Sequence, residues 1–154
     1  MRSSEKPFEL TASLEDYLEA IKALIDADEH GHAHTSEIAR RLGVKMPSVT
    51  NALGILCKNG YIHYDASYPV TLTKRGVQAA ERVMRRHAVL KAFLEEVLLL
   101  EESEASATAC RMEHVIDDRL IDRLDAVNAA MTQSEWSSQL RDCLTYSQWT
   151  QSCW

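Results

Sequence analysis

Glycine and proline are scarce in this chain, at five and three of 154 residues. That scarcity excludes collagen-like and Gly/Pro-rich low-complexity classes, and the abundance of Leu, Ala and Glu then points to a mostly helical protein. Long apolar runs are also missing. The longest, Val97–Leu100, falls far short of the roughly 20 residues that cross a bilayer. The opening stretch, MRSSEKPFEL, has no apolar core of a secretory signal. The expectation is a soluble cytoplasmic protein with no membrane partner. Cysteine is limited to Cys57, Cys110, Cys143 and Cys153, with no metal-finger spacing between them. In a reducing cytosol these read as thiols rather than a disulfide framework.

What is present is unevenly distributed. From Ser36 to Arg86 there are nine Lys/Arg against three Asp/Glu; from His87 onward there are five against twelve. A basic segment inside a chain of net charge −6 suggests that one face meets a polyanion.

There are no internal repeats. LTASLEDYLEAIKALIDADEH carries apolar residues at Leu14, Tyr17, Leu18, Ile21, Leu24 and Ile25, a helical period opened by a cap at Thr11 or Ser13. TSEIARRLG reads as a short helix capped by Thr35 or Ser36 and stopped by Gly43. VKMPSVTNALGILCKNG starts a further helix with Pro47 in its first turn, where the missing amide costs nothing. Two helices joined by a tight Gly-containing turn form a helix-turn-helix. YIHYDAS and YPVTLT are β-prone runs around a turn, so a hairpin follows. The order is that of a winged helix over about residues 10–75. A long helical pattern then runs from Thr73 to about Leu100, followed by two or three shorter helices to about Tyr146. The expected division is 1–75 for the winged helix, 76–146 for an all-helical domain, and a tail at 147–154 holding Trp149 and Trp154. Trp136, Trp149 and Trp154 suggest a cap on the helical domain, without a further role for the tail.

The second helix of such a motif lies in the major groove with its N-terminal residues on base edges. Here these are Pro47, Ser48, Thr50 and Asn51. Asn51 suits an adenine edge, and Pro47 or the Thr50 methyl suits a thymine methyl. Ser36, Arg40, Arg41, Lys45, Lys58, Lys74 and Arg75 are placed to meet phosphates, which supply affinity rather than sequence choice. Winged helices also serve as protein-interaction modules, so this remains an alternative. Gly54, in the middle of the recognition helix, costs about 1 kcal/mol relative to alanine, and a close helix contact is one reason to keep it.

In ACRMEHVIDD, Cys110, Glu113 and His114 stand at i, i+3 and i+4, one face of a helix. Asp16 and Glu19 are again i, i+3, beside the apolar stripe of the first helix, and His87 follows VMRR. Gathered together, these six offer mostly oxygen with some nitrogen and one sulfur, a set suited to Mn(II), Fe(II) or Co(II). Each also has an ordinary structural reading. The acids fit a helix start and Cys110 a small core residue. HGHAH, with His30, His32 and His34, falls between helices and reads as a solvated loop.

LTASLEDYLEAI, SEIARRLGVKMPSVTNAL…NGYI, LTKRG leading into RVMRRH, and ACRMEHV occur in an order that resembles the diphtheria-toxin-repressor and manganese-transport-regulator family, over about residues 10–140. The resemblance implies a homodimer on a double-stranded DNA operator, with an N-terminal winged helix followed by a helical dimerisation domain. It also implies a divalent ion between the two that represses metal-uptake genes. Residue by residue, it makes Asp16, Glu19, His87, Cys110, Glu113 and His114 the ligands, with Mn(II) first and Fe(II) second. Two acids at 16 and 19 agree with the manganese branch, whereas Cys110 stands where that branch often has glutamate and the iron branch has cysteine. Lys91 and Ser106 replace the acid and histidine of the iron branch's ancillary site, so the resemblance implies that this site is absent. It also implies a two-domain form without the SH3-like third domain. The two-fold interface is expected on the long helix at Val83, Leu90, Phe93, Leu94 and Val97, although periodicity alone fits an intramolecular core equally well. An enzyme is not expected: no separate general base, oxyanion loop or Gly-rich cradle accompanies the ligands. The rival is a metal-independent winged-helix factor or interaction module, indifferent to chelator.

Overall fold

Thr11 opens the first helix, α1 (Ala12–Ala27), by accepting the amide of Leu14 on its Oγ1 at 3.4 Å. This is a computed structural model, which describes residues 8–132 together with 139 and 142–144. The chain divides into two units, Met1–Val83 and Met84–Trp154. Trp136, Trp149, Trp154 and the tail at 147–154 lie outside the described residues.

In the first unit, α1 is followed by α2 (Thr35–Leu42) and α3 (Met46–Lys58). The cap of α2 is His34, not Thr35 or Ser36: the His34 amide donates to Glu37 Oε2 at 3.2 Å. Gly43 ends α2 at φ +65°, a left-handed conformation that a Cβ penalises. Pro47 lies in the first turn of α3. The wing is short. Strands β1 (Ile62–His63) and β2 (Thr71–Leu72) pair antiparallel with Ile62 opposite Leu72, and Ala33 bridges Val70 beside them. The core takes Leu14, Tyr17, Leu18 and Ile21 from α1, Ile38 from α2, Val49, Leu53 and Leu56 from α3, and Ile62 and Val70 from the wing. Full burial of such a side chain contributes about 1.5–3 kcal/mol. The turns of α1, α2 and α3 facing this centre therefore outweigh the weak propensities of so short a hairpin.

The long helix α4 (Lys74–Ala92) starts in this unit. Thr73 caps it, accepting the Gly76 amide on Oγ1 at 3.1 Å and donating to Gly60 O at 2.7 Å. A Cβ built on Gly76 would fall on the carbonyl oxygen of Tyr61. Arg75 folds over the Tyr61 ring at 4.3 Å and donates to Asn59 O and the Tyr61 hydroxyl. Ala79 and Ala80 join the winged-helix core. The first compact unit thus extends along α4 as far as Val83.

In the second unit α4 widens into a π-helical turn, Phe93–Val97, followed by α5 (Glu102–Met112) and α6 (Asp118–Thr132). The helical pattern expected to about Leu100 stops at this turn. Leu98 N bonds Phe93 O, Leu100 N bonds Leu94 O, and Leu99 sits at φ +59°, a conformation that costs a leucine about 1–2 kcal/mol. The core here is Val89, Leu90, Leu94, Ala105, Ala109 and Ile121. Two alanines one turn apart let α5 approach closely. Leu90 is only 1% exposed and Val83, Leu94 and Val97 are also buried, so the stripe expected to meet a second subunit is turned into the subunit itself. Phe93 alone of the five keeps partial exposure. No described helix is long and apolar enough to cross a membrane.

Two glycine substitutions should move stability in opposite directions. Gly76→Ala forces the Tyr61 backbone aside and should lower unfolding free energy by about 1–3 kcal/mol. Gly54 is exposed and a Cβ there meets nothing within 4 Å, so Gly54→Ala should raise it by about 0.5–1 kcal/mol. Urea denaturation of both variants checks the pair; a harmless Gly76→Ala would refute the close approach.

Candidate nucleic-acid face and metal centre

Helix α3 has one buried and one bare face. Val49, Ala52, Leu53 and Leu56 point into the core, while Pro47, Ser48, Thr50, Asn51 and Gly54 are exposed. This division follows from the sequence, since the apolar residues repeat at i, i+3, i+4 and i+7 and leave the polar ones together. Gly54 makes no helix contact; it leaves a bare patch in the outward row. Thr50 returns its hydroxyl to Met46 O at 3.2 Å, which keeps its methyl group on the surface side chain. Ser36, Arg40, Arg41, Lys45, Lys58 and Lys74 are all exposed in the same unit. Arg75 differs, because its guanidinium is already engaged by Asn59 and Tyr61. It braces the wing, which spacing could not reveal.

Asp16 and Glu19 are partly buried on α1 in this unit. They flank the stripe of Leu14, Tyr17, Leu18 and Ile21, where carboxylates lose some hydration without being sealed off. Burial pushes the Tyr17 phenol above its ordinary pKa.

The other four expected ligands belong to the second unit. Glu113 caps α5 and keeps helical backbone angles, its amide bonded to Ala109 O at 2.9 Å. Its side chain is 0% exposed. His87, on α4, lies with Nδ1 2.7 Å from Glu113 Oε2, and His114 lies with Nε2 3.4 Å from Oε1. Each oxygen of a buried carboxylate is thus flanked by an imidazole. With a carboxylate acceptor, Nδ1 of His87 is the donor, so in the neutral tautomer the lone pair is on Nε2. Cys110, one turn earlier, is a solvent-exposed thiol. The spacing i, i+3, i+4 predicts one helical face, whereas α5 ends at Met112 and leaves Glu113 sealed and Cys110 exposed.

The electrostatics favour a cation. A buried carboxylate is costly unless compensated, and the C-terminal carbonyls of a helix add further negative potential. Glu113 faces both burdens. The donor set around it, carboxylate with two imidazoles and a thiol one turn away, is chemically suited to a first-row divalent ion. Arg86 supports the frame: it bonds Asp118 Oδ1 at 2.9 Å through Nε and reaches Glu113 O at 3.4 Å. Arg85 reaches Asp122 and Asp125, which hold its guanidinium above its ordinary pKa.

The chain matches the N-terminal DNA-binding domain of iron-dependent repressors over residues 9–68, and their metal-binding and dimerisation domain over residues 73–139. An HTH-type transcriptional regulator of Methanocaldococcus jannaschii is 36% identical over 115 residues, 75% of this chain and 91% of that one. Among solved structures, a manganese-dependent transcriptional repressor in complex with manganese aligns at TM-score 0.68 and 30% identity, over 75% of this chain and 52% of that one. IdeR of T. acidophilum aligns at TM-score 0.63 and 25% identity, over 80% of this chain and 54% of that one. The chain therefore spans about half the length of these two solved chains.

The two neighbouring arginines give a contrast in stability. Arg86 is largely buried, with 14% of its side chain exposed, against 47% for Arg85. Arg86→Ala should cost about 1–3 kcal/mol by leaving a charged partner and a carbonyl unanswered. Arg85→Ala should cost no more than about 1 kcal/mol, as exposed pairs do. Thermal or urea unfolding in chelator measures both, and equal losses would deny Arg86 its bracing part.

Proposed function

The chain belongs to the iron-dependent repressor family, and from that premise we propose that it is a metal-dependent, DNA-binding transcriptional repressor of divalent-metal uptake genes, acting as a homodimer on double-stranded DNA, with Mn(II) as first effector and Fe(II) as second. The observation that carries the metal part is Glu113, a fully buried carboxylate at a helix C-terminus with an imidazole at each oxygen. The manganese-bound relative adds support for Mn(II). The ligands in this reading are Asp16 and Glu19 from the first unit and His87, Cys110, Glu113 and His114 from the second.

A divalent ion, when bound, would supply positive charge that answers the carboxylates among these six residues. The residues do the rest. His87 keeps its ring oriented through Glu113, so Nε2 is presented without a further ordering cost. The exposed edge of α3 reads bases through Ser48, Thr50 and Asn51, while Arg40, Arg41, Lys45, Lys58 and Lys74 meet phosphates. Coupling of about 1–3 kcal/mol between the two sites suffices to change DNA affinity about 5–150-fold. The apolar side chains left exposed on the second unit, Val115 and Leu120 among them, are a surface for the partner copy. This replaces Leu90 and Leu94, which the subunit's own core holds.

Fluorescence anisotropy on operator and bulk DNA, under reducing anaerobic conditions, tests the reading. Mn(II) or Fe(II) should raise affinity at least fivefold and chelator should reverse it. Glu113→Ala and His114→Ala should abolish the metal response while the far-UV spectrum stays helical. Asn51→Ala should reduce discrimination between operator and bulk DNA, whereas Lys45→Ala should weaken both and flatten the salt dependence by about one unit. DNA binding indifferent to chelator would instead support a metal-independent winged-helix factor.

A further inference from the structure

The loop between α1 and α2 was expected to be merely solvated, yet its three imidazoles stand together. The His30 and His32 ring centroids are 5.8 Å apart, and those of His32 and His34 are 5.7 Å apart. The backbone beneath them is fixed. Ala33 is fully buried and bridges Val70 through both of its backbone groups, at 2.9 and 2.8 Å. Because side chains alternate along extended chain, a buried Ala33 sends His32 and His34 to the opposite, outer side. His30 and His34 are exposed, and 29% of the His32 side chain is.

Asp28 organises the cluster. Its Oδ2 accepts the amides of His30 and His32, at 3.1 and 3.2 Å, and lies 2.6 Å from His32 Nδ1. These bonds from His32 and His30 hold the Asp28 carboxyl below its ordinary pKa. A carboxylate gripping Nδ1–H fixes the ring and its tautomer and leaves Nε2 as a lone-pair donor, which is how carboxylates support histidine ligands to metals. Two imidazoles on one tetrahedral ion, with metal–nitrogen distances of about 2.0–2.1 Å, have centroids about 5 Å apart. The His30–His32 and His32–His34 separations exceed this by less than an ångström, and the three side chains must rotate to bring their donor nitrogens onto one ion.

We propose that Asp28, His30, His32 and His34 form a second metal site, confined to the winged-helix unit, for an imidazole-preferring ion of the Zn(II), Ni(II) and Cu(II) class. His30, His32 and His34 are the ligands, with water completing the shell, and Asp28 orients His32. The site is nitrogen-rich where the proposed effector site is oxygen-rich, so the two differ in the ions they prefer. It shares no residue with the effector site and stands or falls separately from it.

Zn(II) binding to the full chain tests this, with equilibrium dialysis for stoichiometry and imidazole-detected proton–nitrogen NMR for the ligands. The wild type should bind one more Zn(II) per subunit than the His30→Gln/His32→Gln/His34→Gln variant. The Nε2 resonances of those three histidines should shift with the first equivalents. Mn(II)-stimulated DNA binding should persist in the variant, which separates failure here from failure of the repressor reading. Asp28→Asn should weaken Zn(II) at the loop 10–100-fold; an unchanged affinity would remove Asp28 from the site. Equal zinc stoichiometry in wild type and variant would overturn the proposal, as would unmoved resonances in the wild type. The NMR result needs no variant, so a misfolded triple substitution does not shield the idea.

Discussion

The first unit hangs on the place where α4 meets the wing. Gly76 lies so near the Tyr61 carbonyl that no side chain fits between them. The same Tyr61 receives Arg75 across its ring and on its hydroxyl, and its carbonyl accepts the Thr73 amide. Three consecutive functions, a cap, a clamp and a gap, are thus packed into Thr73–Gly76. A two-residue hairpin has little stability of its own. By binding β1 from one side while Ala33 holds Val70 on the other, these contacts make the wing part of the helical core, and the orientation of α3 follows from that core.

The second unit is organised around a different constraint, the burial of a charge. Glu113 has no exposed surface, yet it sits where α5 ends and helix carbonyls accumulate negative potential. The His87 ring, the His114 ring and the Arg86 guanidinium, which reaches the Glu113 carbonyl, gather around it. Hydrogen-bonding groups at its carboxylate and at its carbonyl are an ordinary answer to burial. Two of the three are imidazoles, groups that can also ligate a metal ion.

Much of this was legible in the sequence wherever a local rule had one physical solution. Thr11 as a cap, Gly43 as a helix stop, Pro47 in a first turn and the polar row of α3 all follow from backbone sterics and period. The errors arose where one pattern has two solutions. An apolar stripe satisfies a second subunit or a neighbouring helix equally well, and here Leu90 and Leu94 pack with Ala105 and Ala109 of the same chain. His34 was missed as a cap because its side chain is not a usual capping group, and Glu37 does the reaching back. The π-helical turn at Phe93–Val97 has no sequence signature, being imposed by how Leu94 and Val97 must be buried. LTKRG was noticed as a motif, whereas its reason, a carbonyl where a Cβ would be, exists only in three dimensions. For the candidate ligands, spacing put Cys110, Glu113 and His114 on one helical face, but it could not show that α5 ends at Met112 or that Glu113 is buried and Cys110 exposed.

The two carboxylate–imidazole pairs make the division of labour concrete. Asp28 lies 2.6 Å from His32 Nδ1 and Glu113 lies 2.7 Å from His87 Nδ1, so the contact itself is nearly the same. Their settings differ: 36% of the Asp28 side chain is exposed and none of Glu113. At Asp28, water can solvate the carboxylate, and two backbone amides complete its hydrogen bonding, so it needs no ion of its own. In the proposed loop site its effect is to direct the His32 ring outward, which would favour ions that bind nitrogen. At Glu113 the carboxylate is sealed and its charge must be answered from within, which favours ions that bind oxygen directly and neutralise it. On these two proposals, the same pair of groups would select different metals according to whether water reaches the acid. Burial, more than the identity of the side chains, sets what each site can hold.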